Sequence, residues 1–394
     1  MNMKDIVNRT ILLQILCVLF GGIAASYYPV AAGLLFLPDL LNVVLLCCIT
    51  IKIGQCLKVE HFVYLLFLVI VGLSVVWGDQ SWKDVFSAGR RYASAFLVYY
   101  LASEYLDRKY WEKGIWILLI AQGINVFLTA YQNLVMKLHP DFCNGIFGFT
   151  GYDNAIQGIF CLILSIIAMV YFIDAKWSAG KMLYTIGSSC VVCALAEIKA
   201  YYVMLAMTFV VAFLFRWKDQ ALRKRIFRFI LIAVAMFAVA YKILELIFPY
   251  NLATFFDLSH YILYEQYGAR GGAGRLSTVS YVYNNVFRDD VLKILLGCGL
   301  GSASNEFAYT IGKMLVSFGT IGMGLFLLWL FLLGIKHIKR INCGSEDIIC
   351  LIMVIMIFVA MFVWNGVFTQ MHFLIFWMLG SYNIDRDLVQ KITH

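Results

Sequence analysis

Cations standing in apolar surroundings are the residues of this chain best suited to chemistry, and anions are their natural targets. Arg270 and Arg275 bracket the glycine-rich run RGGAGR, and apolar residues then recur at Val279, Tyr283, Val286 and Phe287. That helical spacing predicts an amphipathic segment. Arg275 falls at its N-terminal edge, where free backbone N–H groups also favour a phosphate. Arg90 and Arg91 lie about five residues into an apolar run that starts near Val85. Intramembrane charges face a bundle interior or a wet cavity, so the pair is read two ways, as an anionic head-group site or as one half of a buried ion pair with Asp39. Glu197 and Lys199 share the tight turn AEIKA. Anchoring of Lys199 by snorkelling competes there with a functional role, which is favoured. Lys242 and Glu245, one helical turn apart, read as a mutual pair.

Other motifs fall away on inspection. Gly297, Gly299 and Gly301 spell GxGxG without the strand–turn–helix frame of a nucleotide site, so they are read as a sharp turn or a close approach to a ligand. Asp289 and Asp290 have no third ligand at recognisable spacing, and no metal is expected. Cys190 and Cys193 form a CxxC inside an apolar run, where thiols act as small hydrophobes. Cys143 and Cys298 fall in predicted outside loops; a disulfide is open to them, with two separate thiols the favoured reading.

The elements that position these residues follow from composition. With 62% hydrophobic residues, 14% charged residues and four prolines in 394, the chain is predicted to be an all-α polytopic membrane protein. Twelve apolar runs are long enough to cross a bilayer, the second from Pro29 to Ile51, the fourth from Val85 to Ser103 and the last from Val367 to Tyr382. Residues 1–394 then form a single transmembrane domain, with residues 249–309 as an extracytoplasmic lid loop that contains the amphipathic helix. Placing both termini in the cytoplasm puts 20 of the 31 basic residues in inside loops, which obeys the positive-inside rule. The net charge of +8 is therefore a topology signal, and no nucleic-acid partner is expected.

The order of several loose motifs resembles the bacterial O-antigen polymerase and O-antigen ligase superfamily. They are GFTGYDNA (148–155), AEIKAYYVMLA (196–206), GRLSTVSYVYNNVFRDDVLKILLGCGLGS (274–302) and GTIGMGL (319–325). The resemblance covers most of the chain as topology, with a large outside loop between the ninth and tenth spans. It implies an enzyme of the bacterial cytoplasmic (inner) membrane whose active site faces outside. A glycan on undecaprenyl diphosphate would be transferred to a hydroxyl of the next lipid-linked repeat unit, without cofactor, to build O-antigen, capsule or exopolysaccharide.

Carried over by residue, the resemblance implies that Arg275 contacts the lipid diphosphate and that Lys199 stands where the family has an arginine. Lysine keeps the charge and loses the bidentate fork. Arg270, Arg90, Arg91, His260 and Asn154 complete the expected substrate contacts. SNEFAY (304–309) carries no histidine where the ligase branch has one, which favours the polymerase branch. Glu306 is then the first candidate general base, followed by Glu197 and His260. The expected partners are the lipid-linked oligosaccharide, membrane lipid and a chain-length regulator protein. Ligase activity is one alternative. A lipid-linked oligosaccharide flippase or transporter is another, and it should show an internal repeat and broken helices.

Overall fold

The structure is a computed structural model that describes residues 2–50, 57–78, 80–149, 154–216, 274, 277–303, 310–340, 344–364, 367–368 and 371–384, with scattered helical positions between 223 and 245. Every regular element among them is helical. Among the described residues, seven helices are long and apolar enough to cross a membrane, and two shorter apolar helices, Gly33–Ile49 and Ala179–Leu195, accompany them. The protein is a helical membrane protein.

The chain opens with α1 (Met3–Tyr27), capped by the Asn2 side chain. Pro29 then starts eight residues of 3-10 helix, Pro29–Phe36, before α2 (Leu37–Thr50). Pro38 sits in the first turn of α2, where its missing N–H costs no helical hydrogen bond. The run from Pro29 to Ile51 is therefore not one uniform helix. Next come α3 (Val59–Trp77), α4 (Trp82–Tyr105) and α5 (Arg108–Ala130), the last continued by a π-helical turn over Tyr131–Val135. α4 has 24 residues and the Ser81 side chain caps it, but Arg90, Arg91 and other polar residues keep it out of the strongly apolar set.

α6 (Ala155–Ile173) is buried on almost every face, as expected of the uninterrupted apolar sequence AIQGIFCLILSIIAMVYFI. α7 (Ala179–Leu195) and α8 (Lys199–Arg216) follow and pack against it. The predicted amphipathic segment is a single turn, α9 (Thr278–Tyr281), that widens into a π-helix over Val282–Phe287. Val282 and Phe287 are its buried positions. Then come α10 (Val291–Leu296), α11 (Thr310–Lys339), α12 (Ser345–Val363) and α13 (His372–Leu379). Among its described residues the last predicted span thus contains eight in α-helix, closed by a 3-10 turn over Ser381–Asn383.

An aromatic core joins α3, α4, α11 and α13. Tyr64 stacks on Phe96 at 5.4 Å and meets Trp329 edge-on at 4.8 Å, while Trp329 lies parallel to Phe376 at 5.4 Å. Phe368 closes on Tyr92 at 4.6 Å. Such offset and edge-to-face pairs add to the burial of large rings.

One end of the bundle gathers most of the ionic contacts among the described residues. Glu346 of α12 accepts from Tyr171 Oη at 2.8 Å and from Lys176 Nζ at 3.0 Å, and Trp111 Nε1 donates to Tyr171 Oη at 2.7 Å. Asp174 pairs with Arg216 at 3.1 Å and accepts from Ser345 Oγ at 2.6 Å. Glu60 pairs with Lys336, and Lys58 with Glu104 at 2.5 Å. These residues come from the loops that the charge bias assigns to the inside. Lys242 pairs with Glu245 at 2.7 Å, as their spacing predicts.

Candidate functional site at the less basic end

At the opposite end, residues of two distant turns meet. Asn154, just before α6, donates from Nδ2 to Ala196 O at 3.0 Å and to Asp141 Oδ1 at 3.4 Å. Asn133 donates to the neighbouring Leu195 O at 2.8 Å. These side-chain amides take the orphan carbonyls at the C-terminal end of α7. The chain then reverses through Glu197, whose φ of 50° is left-handed, and Lys199 opens α8. Glu197 is exposed and Lys199 half-buried. The structure therefore brings Asn154, Glu197 and Lys199 to one place, with Asp141 and His139 beside them. His139 Nδ1 accepts from Asp141 N at 3.4 Å. The sequence reading missed His139, Asp141 and Asn133; HPDF (139–142), five residues ahead of GFTGYDNA, was the signal for the first two.

Part of the loop between α5 and α6, Cys143 to Gly148, enters the bundle. Its 3-10 turn, Gly145–Phe147, is wholly buried. Gln132 Oε1 accepts from Gly145 N at 2.7 Å, and Asn125 Oδ1 accepts from Ile146 N at 3.1 Å. Gln157 Nε2 donates to Thr129 Oγ1 at 2.7 Å and to Asn125 Oδ1 at 3.2 Å. Buried backbone needs such partners; Asn125 of α5 and Gln132 of its π-helical turn supply them, braced by Thr129 and by Gln157 of α6. A Cβ on Gly22 of α1 would lie 2.1 Å from Phe147 O, so only glycine lets the loop press this close. Cys143, in the same loop, is a fully buried free thiol. Burial pushes its pKa above the ordinary thiol value. Cys298 is also a free thiol.

Arg90 lies eight residues into α4, about 12 Å from its start. Its guanidinium pairs with Asp39 and covers the Phe36 ring at 5.3 Å. Of the two readings of this arginine, the ion pair is the one present. A polar seam continues from it, with Asn42 donating to Ser94 Oγ at 2.7 Å and Gln14 donating to Asn42 Oδ1 and Pro38 O, both at 2.9 Å. Arg91 is half-buried beside it. The seam and the Asn154 cluster belong to different helix groups, since α4 packs on α1, α2, α3 and α13, and α8 on α6, α7 and α12.

The glycine-rich turn approaches protein backbone. Gly297, Gly299 and Gly301 all have positive φ, and Cys298 N donates to Val316 O at 2.6 Å. Gly319, with φ of 61° and ψ of −164°, breaks α11 where Gly297 crosses it. A Cβ on Gly319 would stand 2.5 Å from Leu295 backbone, and one on Gly299 2.4 Å from Gly78 Cα. Arg270, Arg275, His260 and Glu306, and most of the expected lid between 249 and 309, lie outside the described residues.

Comparison with models of known families and with curated proteins finds no match to this chain. The site rests on its own geometry.

Proposed function

We propose that the protein is a polysaccharide repeat-unit polymerase of the O-antigen polymerase kind, acting at the outer face of a bacterial cytoplasmic membrane. The observation that carries this reading is the Asn154 bridge to Ala196 O, which gathers a cation and carboxylates from two turns at the end remote from the basic loops. Lys199 suits the departing polyprenyl diphosphate, whose charge grows as the anomeric C–O bond breaks. Glu197 is the described carboxylate suited to take the proton of the acceptor hydroxyl as its oxygen bonds to the anomeric carbon. Arg275, Arg270, His260 and Glu306 keep their expected roles from the family resemblance, as do Arg91 and a chain-length regulator as partner.

The test mixes purified protein with lipid-linked repeat units and reads the products by gel. Ladders without nucleotide or energy source are expected, and Lys199→Ala should shorten them at least about tenfold in yield, with Lys199→Arg retaining most of it. Unchanged ladders from Lys199→Ala would remove that residue from the reaction. A second reading, a flippase for the same lipid, draws on the break in α11 at Gly319, since discontinuous helices are common in transporters. Translocation of fluorescent lipid-linked sugar without new glycosidic bonds would favour it, and transfer to a lipid A core would favour a ligase.

A further inference from the structure

At the basic end, the outward face of α5 combines charge with an apolar track. Lys109, Lys113, Trp116 and Ile120 recur at helical spacing on one face, and all four are exposed. Phe127 extends the track and is 79% exposed. α7 lies alongside, tied to α5 by Tyr184 Oη, which donates to Leu119 O at 3.0 Å. Tyr184 and Val191 are exposed on α7, and a Cβ on Gly187 would meet nothing within 4 Å. Where the two helices begin, Lys181 Nζ sits 4.6 Å from the Trp116 ring centre and 4.1 Å from that of Trp177.

A membrane-border lysine ordinarily extends its ammonium toward water. Lys181 instead lies between two indoles from different elements, at the level where tryptophan marks the head-group region. Among the described residues no carboxylate pairs with Lys109, Lys113 or Lys181. The acids nearest in sequence are engaged: Asp107 with Lys4, Glu112 with Arg108 at 3.2 Å, and Asp174 with Arg216. Three cations thus stand at the mouth of an apolar track with their charge unmatched.

We infer that the α5–α7 face binds an anionic glycerophospholipid from the leaflet at the basic end, its phosphate on Lys181 and Lys113 and its acyl chains along Ile120, Phe127 and Val191. The apolar track alone would accept any lipid. The lysines select the negative head group, and the indoles hold Lys181 ready for it.

Native mass spectrometry of the full chain in mild detergent, titrated with phosphatidylglycerol or phosphatidylcholine of matched acyl chains, tests this. The wild type should retain phosphatidylglycerol in preference. The double variant Lys113→Gln, Lys181→Gln should lose that preference by about fivefold or more while holding phosphatidylcholine unchanged. Lys181→Arg, which keeps charge and stacking, should bind as the wild type does. Equal retention of the two lipids by the wild type, or unchanged preference in the double variant, would overturn the assignment. So would displacement of the lipid by inorganic phosphate at equal concentration, which would make this an anion site without a lipid. Unchanged phosphatidylcholine retention also reports that the variant is folded, and Trp116→Leu, which removes one indole and no charge, provides an independent loss of preference.

Discussion

The Arg90–Asp39 pair places opposite charges among helices that offer little water, so removing one partner strands the other. Asp39→Asn should cost about 2 kcal/mol in detergent unfolding, and Asp39→Asn with Arg90→Gln should recover most of it. Additive losses in that double-mutant cycle would show that the two side chains do not act as a pair. Cys143 gives a second test at this scale. Its burial and raised pKa leave little reactive thiolate, so in a variant retaining only this cysteine, maleimide labelling at pH 7 should be at least about tenfold slower than for an exposed thiol. Labelling that matches the exposed rate would mean that the loop does not enter the bundle. The Arg90 contact was legible because a carboxylate beside Pro38 and an arginine in a nearby apolar run each require a partner. The Asn154 contact was not, because its acceptor is a backbone carbonyl and any residue could have supplied it.

At the scale of elements, the helices were readable and their interruptions were not. Apolar runs report burial, and both an α-helix and a 3-10 helix satisfy that demand, so the change of helix type at Leu37 left no periodic signal. The glycines of 297–301 marked a turn or a close approach without naming the partner. Gly297 and Gly319 prove to face each other's backbone, while Gly299 faces that of Gly78. Gly319→Ala combines a left-handed φ with a Cβ at 2.5 Å from backbone, and should destabilise by about 2–3 kcal/mol in thermal unfolding. Gly187→Ala is the matching control. It sits inside α7 with open space beside it, and helix propensity alone should leave it neutral or raise stability by up to about 1 kcal/mol. Similar losses in the two variants would mean that the Gly297–Gly319 crossing carries no special tightness.

Across the whole molecule, polarity is divided by kind. The basic end holds most of the charged pairs, and the other end holds neutral amides and hydroxyls around the entering loop, with the Arg90–Asp39 pair among its few charges. The charge bias of the loops anticipated which residues share an end, since Lys176, Arg216, Lys336 and Lys58 all pair there. It could not anticipate that their carboxylate partners would cross-link helices far apart in the chain. Glu346 joins α6 and α12 from a site 5% exposed. Glu346→Ala should therefore cost about 3 kcal/mol, against about 1 kcal/mol for Tyr171→Phe, measured as loss of the folded fraction on heating in detergent. Equal, small effects would reduce the network to surface pairing.

The brevity of α13 bears on how the chain is built. Eight residues rise about 12 Å, well short of a bilayer, yet all eight are buried, and Gly380 and Trp377 press against Ala102 and Gly114. A segment this short is not secured by lipid alone. Its seat is made by α4 and α5, which are synthesised more than 200 residues earlier. The groove between them must stay unfilled through most of translation, so it is there that an assembly factor would have apolar surface to shield until the final helix arrives.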